Sequence, residues 1–218
     1  MKILVVAGLP SFLPDEAFDF IIGVDRGSLW LTEQKLPLDL AVGDFDSITE
    51  KEKCLVKVHA KSFVELAAEK NDTDTEVGLR LAFEQDPKAQ VTIIGGMGGR
   101  ADHLLTNVFM PISEEFKEHC RQVTLLDPQN ELTYFPAGSH QIKNDPSYRY
   151  LGFVEVGIQK SLAIQGAKYE LEAGQGFSHI YASNEFKDDE VSFSFAEGHL
   201  IVIRSKDGSP SKNKENIS

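Results

Sequence analysis

Short β-branched runs alternate with amphipathic, helix-like stretches over the first 127 residues, and this alternation constrains the fold more than any other feature. The strand-like runs are KILVVAG, FIIGVD, LDLAVGD, VTIIGG and VTLLD. Strands that alternate with helices predict a parallel sheet in an α/β domain. Three of the runs end in an acidic residue, at Asp25, Asp44 and Asp127, and another ends in glycines. Because ligands bind at the carboxyl edge of such sheets, we expect a site at these strand ends.

The second half of the chain has a different pattern of closely spaced strand-like runs that are separated by Gly, Pro and Asn. These runs are ELTYF, YRYLGFVEV, SLAIQGAKYEL, VSFSFA and HLIVIRS. No helical period lies between these runs, which predicts an antiparallel β domain. We therefore expect an α/β domain at 1–130, an antiparallel β domain at 131–206 and a flexible, solvated tail at 207–218.

The charge balance of the chain argues against binding to DNA or RNA. The chain has 22 Lys and Arg residues against 34 Asp and Glu residues, which gives a formal net charge of −12. Such a surface repels nucleic acid phosphates. The N-terminal apolar run is too short to span a membrane and is not followed by a cleavage site, so we expect a cytoplasmic protein.

The motif GDFDS at 43–47 carries two aspartates, Asp44 and Asp46. If the preceding strand continues through Phe45, both carboxylates project to the same side, where they could bind a hard cation. The alternative is an Asx turn in which the aspartates bond nearby backbone N–H groups. A calcium EF-hand is excluded, because Thr49 and Leu55 stand where its glycine and glutamate are required. Mg²⁺ held jointly by protein and a phosphate substrate fits better.

A second acidic pair, Asp72 and Asp74, lies in the segment KNDTDTEVGL at 70–79. Thr73 and Glu76 form the pattern of a capping box at the start of a helix. Capping does not require either aspartate of the pair. We therefore expect their carboxylates to point at the same ion or nucleotide as the first pair.

The segment VTIIGGMGGRADHLLTN reads as a strand, a glycine-rich turn and a helix, which suits contact with phosphate. Arg100 supplies a forked cation for phosphate oxygens, and Asp102 would cap the helix. His103 and Asn107 lie on the same helix face, where they could contact a ligand. The alternative is that they form only a local hydrogen-bonded contact. The turn also fits the G-x-G-x-x-A dinucleotide pattern, but an NAD site would make the acidic pairs unnecessary.

Taken together, four motifs in this order resemble thiamine pyrophosphokinase: GVDRG at 23–27, GDFDS at 43–47, NDTD at 71–74 and GGRADH at 98–103. Downstream, ASNEF at 182–186 and EGHLIVIRS also resemble that family. The resemblance implies an α/β catalytic domain followed by a C-terminal antiparallel β-sandwich that binds thiamine. It also implies a homodimer with its active sites at the subunit interface, and Mg²⁺-dependent transfer of the terminal diphosphate of ATP to the thiamine hydroxyl, which releases AMP.

The resemblance also implies residue roles. A catalytic cluster that binds metal and phosphate would consist of Asp44, Asp46, Asp72, Asp74 and Asp102. Asp25 would lie at the same strand edge, with Gly98, Gly99 and Arg100 facing the nucleotide. His103 and Asn107 stay candidates for the nucleotide site because of their shared helix face. Ser183 and Asn184 would contact the aminopyrimidine of thiamine.

Several points stay open on the sequence alone. Either Asp72 or Asp74 could accept the hydroxyl proton, and Phe177, Tyr181 and Phe186 could stack on the aromatic cation or belong to the core. Two other functions compete: a diphosphotransferase that acts on a different alcohol, such as a pterin, and a non-catalytic sensor of thiamine or nucleotide. The presence of all five aspartates favours an enzyme.

Overall fold

The computed structural model describes residues 1–8, 10–67, 69 and 72–208. These residues form two compact units, Met1–Pro136 and the part from Ala137 onward. All but the first two residues of the predicted tail, and Asn71 of the NDTD motif, lie outside the described residues. Within the described part of the chain, no helix is both long enough and apolar enough to cross a membrane.

The first unit is built on six parallel strands in the spatial order β6-β5-β1-β2-β3-β4. This confirms the predicted parallel sheet. The edge strand β4 was not predicted. The strands are β1 (Lys2–Val6), β2 (Phe20–Val24), β3 (Leu40–Gly43), β4 (Ser62–Glu65), β5 (Gln90–Ile94) and β6 (Val123–Leu126).

Four α-helices connect these strands: α1 (Arg26–Glu33), α2 (Glu50–His59), α3 (Asp74–Gln85) and α4 (Ala101–Phe109). Two short 3₁₀ helices follow α4, at Met110–Ile112 and Lys117–Gln122. The strands β1 and β3 are buried along almost their whole length, as expected for a sheet with both faces covered. Gly27 lets α1 approach β1 closely, because a Cβ there would lie 2.0 Å from the carbonyl oxygen of Val6.

The long strand β7 (Asn130–Lys143) begins in the first unit, where it pairs antiparallel with β6. The other strands of the second unit are β8 (Tyr150–Val156), β9 (Ala163–Gln165), β10 (Ile180–Asn184) and β11 (Glu190–Ser205). Within this unit β8 pairs antiparallel with both β10 and β11, and β9 pairs antiparallel with β11. The antiparallel prediction is therefore confirmed. Two predicted runs, VSFSFA and HLIVIRS, form the single strand β11, and β10 was not predicted as a strand.

Candidate active site

A cavity of about 760 Å³ opens in the first unit at the carboxyl ends of its strands. The turns that follow β1, β2, β3 and β5 line it, together with the first turns of α1, α3 and α4. The predicted site residues that line it are Asp25, Asp44, Asp46, Asp74, Gly98, Gly99, Arg100, His103 and Asn107. The cavity therefore lies at the sheet edge where ligands bind in this class of fold.

Three aspartates converge in the cavity, and we call them the aspartate triad: Asp25, Asp44 and Asp74. Asp25 follows β2, Asp44 follows β3, and Asp74 is the first residue of α3. Each offers a carboxylate oxygen that lies within 4.8 Å of those of the other two, and each residue is half-buried. The spacing and the oxygen-only donor set fit a divalent hard cation such as Mg²⁺.

Asp25 is held by an unusual main-chain turn. Its φ of 46° lies in the left-handed region, and its Oδ1 accepts a hydrogen bond of 3.1 Å from the backbone N–H of Phe45. A Cβ on Gly43 would lie 1.9 Å from that same oxygen, so only glycine leaves room for the carboxylate. Burial, followed by repulsion from Asp74, raises the pKa of Asp25 to about 7.

The loop after β3 differs from the extended backbone considered above. The strand ends at Gly43, and Phe45 has a φ of 57°. The backbone N–H of Asp46 donates to Oδ1 of Asp44 at 3.1 Å, which is the Asx turn that the sequence left open. Phe45 is buried and stacks on Phe63 with ring centroids 4.7 Å apart. Asp44 and Asp46, on either side of it, both line the cavity. Asp46 is exposed and is not one of the triad.

The two aspartates that flank Thr73 have different environments. The capping box is confirmed, because Thr73 Oγ1 accepts from the N–H of Glu76 and the Glu76 carboxylate accepts from the N–H of Thr73. Asp74 then enters the aspartate triad. Asp72 instead accepts a hydrogen bond of 2.9 Å from Nη2 of Arg80, which also forms an ion pair with Glu115. The structure therefore brings Asp74, and not Asp72, to Asp25 and Asp44.

The glycine-rich turn lies at the start of α4. Gly98 and Gly99 have φ values of 129° and 69°, and the space beside both is open. The N-cap of α4 is Arg100, so the prediction that Asp102 caps the helix was wrong. Asp102 lies in the first turn, where it accepts hydrogen bonds of 3.1 and 2.6 Å from Nε and Nη2 of Arg100. This guanidinium lowers the pKa of Asp102 to about 2.

His103 and Asn107 both line the cavity from α4. Asn107 is buried, and its Nδ2 donates a hydrogen bond of 2.8 Å to the carbonyl oxygen of Gly96. This contact ties α4 to the glycine-rich turn, so Asn107 supports the shape of the site as well as lining it.

In the second unit, the predicted thiamine contacts Ser183 and Asn184 lie on β10. Ser183 is exposed and has a φ of 60°. Asn184 is buried: its Nδ2 donates to the carbonyl oxygen of Tyr169 at 2.8 Å, and its Oδ1 accepts from the N–H of Tyr169 at 2.9 Å and of Glu185 at 3.0 Å. The Asn184 amide therefore holds the backbone of Tyr169, a residue that is 60% exposed.

Among the stacking candidates, Phe177 is exposed and packs edge-on against Tyr181, whose hydroxyl is buried. Sequence reasoning missed Tyr169, because no local pattern marks a residue that is held by a side chain 15 positions away. It also missed Arg26, which lines the cavity beside Asp25. The position of Arg26 directly after Asp25, at the end of a strand, is the sequence signal that could have identified it.

These features define a class of protein. A mixed α/β fold with a large sheet, an oxygen-only acidic cluster and a glycine-rich helix N-terminus in one cavity is typical of an enzyme that handles phosphate groups.

Comparisons with known proteins narrow the class to one family. Residues 15–124 match the thiamin pyrophosphokinase catalytic domain, and residues 139–200 match the thiamin pyrophosphokinase vitamin B1 binding domain. The chain is 36% identical to thiamine pyrophosphokinase of Bacillus subtilis (strain 168) over 212 residues, which cover 93% of this chain and 98% of that protein. The chain therefore belongs to the thiamin pyrophosphokinase family.

Solved structures agree with this assignment. A thiamin pyrophosphokinase family protein from Enterococcus faecalis superposes with a TM-score of 0.89 at 39% identity, covering 95% of this chain and 100% of that one. Yeast thiamin pyrophosphokinase, at 14% identity, shares the fold with a TM-score of 0.74, covering 94% and 86% of the two chains.

Proposed function

We propose that the chain transfers the terminal diphosphate of ATP to the hydroxyl of thiamine, giving thiamine diphosphate and AMP. The observation that carries the proposal is the convergence of Asp25, Asp44 and Asp74 beside a glycine-rich helix N-terminus in one cavity, in a chain of the thiamin pyrophosphokinase family. Phosphoryl-type transfer needs positioning and neutralisation of charge more than it needs a covalent nucleophile, and the cavity supplies groups for both tasks.

Mg²⁺ is the proposed cofactor. The aspartate triad would hold it, because carboxylate oxygens at this spacing are the ligands that hard divalent cations prefer. Bound there, the ion supplies positive charge that polarises phosphate oxygens. Asp46 lines the same cavity and is placed to contact a water or a phosphate-bound ion. We assign positioning roles to Asp72 and Asp102, because both form ion pairs with arginines.

The nucleotide phosphates are proposed to lie against the start of α4. The N-terminus of that helix and the open backbone at Gly98 and Gly99 present N–H groups and a positive dipole to an anion. Arg100 and His103 line the same cavity. The carboxylates of the aspartate triad would repel a triphosphate by themselves, so ATP binding should depend on the divalent ion.

Thiamine is proposed to bind through the second unit, which contains the match to the vitamin B1 binding domain. Ser183 is exposed on β10, and Asn184 holds the backbone of the exposed Tyr169. We propose that Ser183 contacts the aminopyrimidine and that Asn184 acts by positioning Tyr169. The family resemblance further supports an α/β catalytic domain at 1–130, a β-sandwich at 131–206, a homodimer and a cytoplasmic location.

The direct test is to incubate the full chain with ATP, Mg²⁺ and thiamine and to measure AMP and thiamine diphosphate together. We expect equal amounts of both products, and none when thiamine is left out or when EDTA removes the metal. A pterin alcohol should not replace thiamine. Binding of thiamine and ATP without product would indicate a sensor, and AMP release with the pterin alone would indicate a different acceptor. Sedimentation analysis would test the homodimer.

A further inference from the structure

Arg26 is a cationic side chain in the active-site cavity to which neither the sequence motifs nor the proposed reaction assigns a role. It is the first residue of α1 and follows Asp25 of the aspartate triad directly. Arg26 is one of the residues that line the cavity, and it is exposed. A guanidinium in this position lies beside a cluster of like-charged carboxylates and faces the space that a substrate would fill.

Arg26 differs in its partners from Arg100, which also lines the cavity, and from Arg80, which binds Asp72. Arg100 is engaged by the carboxylate of Asp102, and Arg80 is shared between Asp72 and Glu115. Arg26 forms no ion pair or side-chain hydrogen bond with any residue that the structure describes. Besides the hydrogen bonds from Thr49, its positive charge helps to lower the pKa of Glu52, in the first turn of α2. None of the five donors of the Arg26 guanidinium is therefore bonded to a residue in the described part of the chain, which leaves them for an incoming anion.

The position of Arg26 also suits a triphosphate. The start of α4, proposed above for the nucleotide phosphates, and the aspartate triad both line the cavity that Arg26 lines. Arginine binds phosphate through two parallel N–H···O contacts, and it stabilises the charge that spreads over phosphate oxygens during transfer. AMP lacks the β- and γ-phosphates, so a residue that contacts those groups should discriminate ATP from AMP.

We propose that Arg26 is a catalytic residue that binds the β- and γ-phosphates of ATP and stabilises the diphosphate group as it is transferred. This inference rests on the proposed function for its substrate. It adds a residue that is separate from the metal-binding aspartates and from the glycine-rich turn.

The test uses the full chain with Mg²⁺ and without thiamine, so that no turnover occurs. Isothermal titration calorimetry measures the affinities of ATP and AMP for the wild type, Arg26→Gln, Arg26→Lys and the control Lys51→Gln. The control removes the same charge from an exposed position on α2 that does not line the cavity. Far-UV circular dichroism checks that each variant folds.

We expect Arg26→Gln to weaken ATP binding by about tenfold or more and to leave AMP binding within about twofold of wild type. The ATP affinity of Arg26→Lys should lie between those of the wild type and Arg26→Gln, because lysine keeps the positive charge but not the forked guanidinium. Lys51→Gln should change neither affinity. Arg26→Lys also serves as the deciding variant if Arg26→Gln does not fold.

Two results would overturn the proposal: ATP affinity within about twofold of wild type in the Arg26 variants, or equal weakening of ATP and AMP. Equal weakening would mean that Arg26 only balances the charge of the aspartate triad. Failure of the proposed function looks different, because the wild type would then bind ATP and release no AMP when thiamine is added. A wild-type chain that does not bind ATP would overturn both.

Discussion

Replacing Asp25 with asparagine should stabilise the metal-free protein at pH 8, although the change removes a residue of the active site. The Asp25 carboxylate is partly buried and close to Asp74, and these two causes raise its pKa from 3.8 to about 7. The ionised carboxylate of Asp25 therefore destabilises the folded state relative to the unfolded one. Asparagine removes the charge, and its Oδ1 can still accept the hydrogen bond from the N–H of Phe45.

The pKa sets both the magnitude and the pH window of this effect. A rise from 3.8 to about 7 corresponds to at most about 4 kcal/mol of lost stability, and solvent screening of a partly exposed group reduces this to about 2 kcal/mol. The penalty is absent below about pH 4, where the carboxyl is protonated in both states. It grows as the pH rises and is complete above about pH 7.

Thermal unfolding in EDTA measures the effect. At pH 8 we expect Asp25→Asn to raise Tm by about 4 to 8 °C over the wild type, and the difference should shrink as the pH falls toward 4. Asp46→Asn is the matched control, because that exposed aspartate lies outside the aspartate triad and should change Tm little. Added Mg²⁺ should stabilise the wild type and not Asp25→Asn. A Tm at or below that of the wild type at pH 8 in EDTA would refute the electrostatic reasoning.

Three other substitutions test the geometry of the site. Gly43→Ala should lower kcat/KM by about tenfold or more, measured by AMP release, because its Cβ would displace the carboxylate of Asp25. Asp74→Asn should lower kcat/KM by about a hundredfold, because Asp74 belongs to the aspartate triad. Asp72→Asn loses only a surface ion pair with an arginine and should lower kcat/KM less than tenfold. Equal losses in the two variants would mean that both aspartates bind the metal. Asn184→Ala should destabilise the protein by about 2 kcal/mol in urea unfolding and raise KM for thiamine, since the buried amide holds the backbone of an exposed tyrosine.

The sequence predicted the buried elements of the fold better than the exposed ones. Each of the five parallel strands that it identified contains two or more buried apolar residues, which is the signal that hydrophobic patterning detects. The missed strand β4 is largely exposed and lies at the edge of the parallel strands. The missed strand β10 is also mostly exposed, and its pairing with β8 shifts between Tyr181 and Asn184. Neither strand shows a regular apolar alternation that a sequence could reveal.

The candidate site was predictable where it depends on strand ends and unpredictable where it depends on distant partners. The motifs predicted that Asp44 and Asp74 meet at one sheet edge, and the structure brings their carboxylates together. They did not separate Asp72 from Asp74, because that separation depends on Arg80, eight positions along the chain, and on Glu115, 35 positions further. Side-chain pairs of this kind follow from tertiary packing, which no local spacing records.

Local main-chain structure holds the residues of the aspartate triad: the carboxylates of Asp25 and Asp44 each accept a hydrogen bond from a backbone N–H, and Asp74 begins α3. Asp25 and Phe45 both adopt left-handed backbone conformations, at a cost on the order of 1 kcal/mol each, and the loop is fixed by the burial of the Phe45 ring. Asp74 is fixed by a capping box that begins one residue before it. Burial of the Asp25 carboxylate, followed by repulsion from Asp74, raises the pKa of Asp25. The three carboxylate oxygens already lie within 4.8 Å of one another, so we expect a divalent ion to bind there with little reorganisation.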